Sequence, residues 1–208
     1  MKRRALLSAC AATSASVGLA GCNSATSYLF GCRGVELALA LTPITEDEAL
    51  QLGVVRAQQF ADVVEDALDG PVRADDDLAE RLGTRTVVWS QETADHYRVH
   101  YEEDGPETEY TAERLVGADA ARVAASADLD AAADTETARD LVARATDEEV
   151  EWCTRDERAD AYEPVVEAVA RQSGSGRQVY YLNDDTVTAP ARLDGRYYRA
   201  ALWADTAE

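Results

Sequence analysis

The 208-residue chain contains two histidines, His96 and His100, and four cysteines, Cys10, Cys22, Cys32 and Cys153. The histidines fall in a segment that alternates as a strand, so they share a face and stand roughly 13 Å apart. Two ligands at that distance do not share one zinc ion unaided, and Arg98 lies between them on the same face. The pair reads as part of a polar surface. Cys153 could act as a thiol nucleophile only if the fold brought one of those imidazoles to it. Asp128, Asp130 and Asp134 have the spacing that opens a calcium loop, but Ala133 replaces the required glycine and Arg139 the final glutamate. Asp75-Asp76-Asp77 reads as a capped, solvated turn. Ser173-Gly174-Ser175-Gly176 leads from a helix to a strand, the reverse of a serine nucleophile elbow, and phosphate-binding glycine patterns are missing. The sequence therefore nominates no catalytic residue, no metal ligand and no cofactor.

Charge narrows the partners. Acids outnumber bases 40 to 20, and Lys2 is the only lysine. The acids are scattered through residues 36–208, and 46% of the chain is hydrophobic, which fits a folded body better than a solvating tail. A chain without a basic patch has nothing to meet phosphates, so nucleic acid is excluded as a partner. At the other end, Lys2-Arg3-Arg4 precedes a weakly apolar run from Ala5 to Ala20 and then Gly21-Cys22. A charged start, an apolar middle and small residues before a cleavage point make a secretion signal, and the run is too short to stay as a membrane span.

Leu19-Ala20-Gly21-Cys22 resembles the lipobox of prokaryotic lipoproteins. That resemblance implies cleavage before Cys22, lipid on Cys22, and anchoring on the outer face of the cytoplasmic membrane. Arg3-Arg4-Ala5-Leu6-Leu7 resembles a twin-arginine export signal, with Lys2 and Ala5-Leu6 departing from its usual pattern. Loss of residues 1–21 would remove three bases and no acid, taking the net charge from −20 to −23. Abundant Asp, Glu, Ala and Thr with arginine in place of lysine is similar to proteins of salt-loving archaea, where acids solvate the surface in concentrated salt. With Cys10 in the signal and Cys22 assigned to lipid, Cys32 and Cys153 remain in an extracytoplasmic body. They are either a disulfide or two buried thiols.

The elements follow from periodicity. Residues 22–34 form a tether. Val35–Leu41 alternates as a strand, Thr45 and Glu48 have capping-box spacing, and Phe60, Val63, Val64, Ala67 and Leu68 make a helical stripe. Strands are expected near 84–90, 96–102 and 107–115. Residues 117–140, poor in large apolar groups, read as a join. Thr146-Asp147-Glu148-Glu149 then repeats the helix start at Thr45, and Tyr162, Val165, Val166 and Val169 repeat the stripe, with Pro164 placed in the first turn. Tyr197-Tyr198-Arg199-Ala200 echoes His96-Tyr97-Arg98-Val99. A strand is expected at 178–183, and Asp194-Gly195 marks a hairpin. The expectation is an α+β fold built as a tandem duplication, each half laying a helix on a small antiparallel sheet. The parts would be 1–21 (signal), 22–34 (tether), 35–134 (first repeat) and 135–208 (second repeat). This arrangement is similar to uncharacterised haloarchaeal surface lipoproteins, a family that implies a location and no chemistry.

In the last strand, Tyr198 and Leu202 take one face while Tyr197 and Trp203 take the other. Either both faces are covered, or Tyr197 and Trp203 belong to a surface for a partner. The expected function is a lipid-anchored, non-enzymatic cell-surface module that binds another envelope protein or an extracellular ligand. An envelope hydrolase with a carboxylate site is the alternative, and an accessory solute-binding or structural component the third.

Overall fold

The computed structural model describes Cys32 and residues 34–56, 58, 60–74, 77–104, 107–176 and 186–206. Cys22, Asp75, Asp76 and the strand expected at 178–183 lie outside these residues. Among the described residues the chain forms seven helices and two five-stranded sheets, an α+β fold.

Val35–Pro43 (β1) buries alternate leucines, Leu37, Leu39 and Leu41. Thr45 then starts Glu46–Gly53 (α1) with a full capping box. Its hydroxyl accepts from the Glu48 amide at 3.2 Å, and the Glu48 carboxylate accepts from the Thr45 amide at 2.9 Å. After Val55–Arg56 (β2) comes Ala61–Asp69 (α2), whose Val64 and Ala67, with Phe60 just before it, turn inward. Val72–Ala74 (β3), Leu78–Leu82 (α3), Val87–Trp89 (β4), His96–Asp104 (β5) and Glu107–Leu115 (β6) complete this part. The strands lie in the order β2-β4-β5-β6-β3 and are antiparallel except for β2 against β4. Phe60, Val64, Leu78, Leu82, Val88, Tyr97, Val99 and Tyr110 share one core beneath α2 and α3. Tyr110 also accepts from the Ala79 amide at 3.1 Å, supplying a partner that the first turn of α3 lacks within the helix.

Residues 117–140 are not a bare join. They form Ala118–Ala124 (α4), Ala127–Asp128 (β7), Leu129–Ala132 (α5) and the start of Glu136–Ala145 (α6). Ala121, Ala125, Ala133 and Ala138 are all buried, so methyl groups fill positions where a search for large side chains finds no stripe. A second correction concerns Thr146. It ends α6 instead of starting a helix: its amide donates to the Ala143 and Arg144 carbonyls, and its hydroxyl to Ala143 at 2.7 Å. The acids after it belong to a turn into Val150–Cys153 (β8), so Thr45 and Thr146 are not equivalent.

Ala159–Ser173 (α7) ends at Gly174 in the left-handed region, φ 87°. Pro164 falls beyond its first turn, where the absent N–H would otherwise have bonded within the helix. Thr186–Leu193 (β9) and Arg196–Thr206 (β10) are joined by Asp194 and Gly195 with φ of 49° and 70°, the signs a type I′ turn needs. The second sheet has the order β7-β9-β10-β1-β8 and is antiparallel apart from β7 against β9. Tyr162, Val165, Val166 and Val169 of α7 pack with the β1 leucines, Tyr198 and Leu202, and Trp152 meets the Tyr162 ring edge-on at 5.3 Å.

The sheets do not follow a boundary between residues 134 and 135. β1 is an inner strand of the second sheet, paired with β10 from Val35↔Thr206 to Pro43↔Tyr198 and with β8 on its other side. Its nine residues match the eleven of β10, and its leucines complete the core under α7. Cys32 and Cys153 are joined by a disulfide, Cα atoms 5.6 Å apart, which ties the entry to β1 onto the end of β8.

Candidate functional site

β10 divides its side chains as alternation requires. Tyr198, Ala200, Leu202 and Ala204 enter the core, while Tyr197, Arg199, Ala201, Trp203 and Asp205 take the other face of the sheet. The register fixes what stands beside each. Tyr197 pairs with Arg192, and Arg199 with Pro190 and Thr42. Ala201 pairs with Thr188 and Ala40, Trp203 with Thr186 and Ala38, and Asp205 with Glu36. Tyr197 and Trp203 are thus on one face but about 20 Å apart along the strand. Between them, α1 reaches the sheet: Gly53 lies against Pro190, and Glu48 is close enough to Arg199 to feel its charge. The two aromatics do not form one surface.

Trp203 is half-buried, and Ala38 and Thr186 across from it, with Ala40, Ala201 and Thr188 on the rung toward α1, are short. Three acids stand on its own rung and the next. Glu36 is opposite Asp205, and Glu151 is opposite Ala38 on the rung of Trp203. Among the described residues none of the three has an ion-pair partner. Burial, and then the charges of Glu151 and Asp205, push the Glu36 carboxyl above its ordinary value. Elsewhere three acids in the sheets have arginines across the strand. Arg73 holds Glu109 at 3.1 Å, Arg192 holds Asp128 at 2.7 Å, and Arg98 holds Glu113. Glu102 is across from Glu109, but Glu109 is the one held by Arg73.

Sequence reasoning missed Glu36, Glu151 and Asp205. Their positions at 36, 151 and 205 share no local pattern, and only strand register joins them. They lie side by side on one sheet face, not across a cleft as an acid and base flanking a scissile bond would.

The raised Glu36 pKa has a sign. A carboxyl that binds its proton more tightly when folded supports folding below its unfolded pKa, and that support is lost as pH rises through the folded value. Glu36→Gln is therefore expected to raise the urea midpoint at pH 7 while leaving it unchanged near pH 4. A midpoint lowered equally at both values would show that Glu36 packs favourably as an anion.

The other candidates take structural roles. His96 and His100 share a face of β5; His96 is half-buried between Trp89 and Leu115, and His100 is exposed opposite Thr111. Burial lowers the His96 pKa, with Asp95 opposing. Arg98 between them pairs with Glu113. Cys153 is bound to Cys32 and so is no thiol nucleophile. Asp128 accepts from the Ala131 amide at 3.2 Å and caps α5, and Asp130 accepts from the Asp194 amide at 3.1 Å. Among the described residues no group of three or more His, Cys, Asp and Glu is placed to hold a metal ion. An open depression of about 440 Å³ is lined by Gln58, Ala61, Gln91 and Glu92, with the Gln58 and Gln91 amides bonded to each other. Among the described residues no helix is long and apolar enough to cross a membrane.

Compared with protein-family models, with curated proteins and with solved structures, the chain has no match in any of the three.

Proposed function

We propose that this is a lipid-anchored, extracytoplasmic cell-surface protein whose acidic body, adapted to concentrated salt, serves as a non-enzymatic interaction module. The tandem-repeat reading is kept as part of this proposal on the two buried tyrosines, Tyr97 and Tyr198, each followed by an outward arginine. The anchoring reading is supported by Leu19-Ala20-Gly21-Cys22 behind a charged, apolar leader. The observation that carries the interaction reading is Trp203. It is a large aromatic on the sheet face away from the core, beside alanines and threonines. The partner is another envelope protein.

The test is crosslinking and recovery of the mature protein from membranes at native salt, with Cys22→Ser as the anchoring control. Cys22→Ser should leave the membrane fraction. Trp203→Ala should lose the discrete crosslinked partner, whereas Tyr197→Ala, about 20 Å away along β10, should retain it. Firm membrane retention of Cys22→Ser would overturn the anchor. A crosslinking pattern indifferent to Trp203 would overturn the surface.

A further inference from the structure

We propose that the Trp203 end of the outer sheet face receives an arginine-bearing segment of a partner protein. The guanidinium would lie over the Trp203 indole and pair with the Glu36, Glu151 and Asp205 carboxylates. The proposal rests on the interaction reading and adds to it the chemistry of the partner.

Three observations converge. First, α1 covers the middle of this face through Gly53 and Pro190, which leaves the rungs of Trp203 and Asp205 beyond it. Second, Trp203 is the large aromatic at this end of the face, half-buried, with Ala38 buried beside it, Ala201 half-buried, and the Cys32–Cys153 disulfide next to Glu36. Third, Glu36 and Asp205 stand directly opposite each other with Glu151 on the adjacent rung, and no described cation answers them. Like charges directly across a strand pair oppose folding. The same fold answers Glu109, Glu113 and Asp128 with arginines, so the means of neutralising the cluster from within is in use elsewhere and not here. Burial deepens the conflict at Glu36. A cation from outside would relieve it.

The aromatic selects which cation. A guanidinium is planar, weakly hydrated, able to stack on an indole and to pair with carboxylates through two N–H groups at once. An ammonium is a compact, strongly hydrated point charge and gains less from the ring.

The experiment titrates the full chain with the peptide acetyl-Gly-Arg-Gly-Arg-Gly-amide by calorimetry at fixed ionic strength, against its lysine counterpart. The arginine peptide is expected to bind about fivefold or more tightly than the lysine peptide. The combined variant Glu36→Gln, Glu151→Gln, Asp205→Asn should weaken it about tenfold or more, while the equally neutralised control Asp140→Asn, Glu157→Gln, Glu163→Gln should stay within about twofold. Trp203→Tyr should keep the arginine preference and Trp203→Leu should abolish it. These variants preserve side-chain size or strand propensity, and far-ultraviolet circular dichroism checks their fold. Equal affinity for both peptides, or equal loss in the control variant, overturns the proposal and indicates diffuse charge attraction. A crosslinked partner that depends on Trp203 but tolerates the triple amide variant overturns this proposal and leaves the interaction reading standing. Absence of both peptide binding and a crosslinked partner overturns both.

Discussion

Removing the Cys32–Cys153 bridge is expected to cost about 5 kcal/mol of unfolding free energy, since a cross-link closing a loop of this length restricts the unfolded chain strongly. The sequence separation is 121 residues, and the loop contains the whole of the β2-β4-β5-β6-β3 sheet. The folded state keeps its other fastenings at the same place. Val35 donates to the Thr154 hydroxyl at 3.1 Å, Thr154 donates to the Val35 carbonyl at 3.0 Å, and β1 pairs with β8 from Glu36↔Cys153 to Leu39↔Val150. The bridge therefore adds little geometry that the sheet lacks, and its effect falls mainly on the unfolded ensemble. Denaturant titrations at fixed salt should show a lower midpoint for Cys153→Ser and for reduced wild-type protein. A midpoint unmoved by reduction would mean that the unfolded chain is already restricted by other means.

Gly53→Ala should lower the unfolding free energy by about 3 kcal/mol, at the upper end of what overpacking costs. A Cβ at this position would clash with the Ala125 carbonyl oxygen and meet the Ala125 Cβ at 2.8 Å and the Pro190 Cγ at 2.8 Å. The end of α1, the cap of α4 and strand β9 converge there, so relief would require moving backbone. Gly195→Ala is the matched comparison. It has nothing within 4 Å, and its φ of 70° exposes only the conformational penalty of a left-handed residue, about 1 kcal/mol. Thermal unfolding of both variants at one salt concentration separates the two causes. Equal losses would show that the contact at Gly53 relaxes freely.

Locally coded features were legible before the fold was known. The capping box at Thr45, the type I′ turn at Asp194-Gly195, the helix stop at Gly174 and the division of Tyr198 from Tyr197 all depend on residues within a few positions of one another. The helices between 117 and 145 were less legible because alanine methyls do the packing that leucines do elsewhere. Thr146 misled for a related reason. Threonine followed by acids suits a helix start, but α6 in front of it had already claimed the residue as its end.

The acidity of the chain, the alternation of its strands, its turns and its α+β class each follow from composition or from neighbours along the chain. Tertiary structure decided that β1 joins β8, β9 and β10, that Cys32 meets Cys153, and that α1 separates Tyr197 from Trp203. It also assembled Glu36, Glu151 and Asp205 beside that tryptophan. Those acids come from strands far apart in the chain, and which strands become neighbours is set by the burial of whole apolar faces, a quantity that no short window of sequence contains.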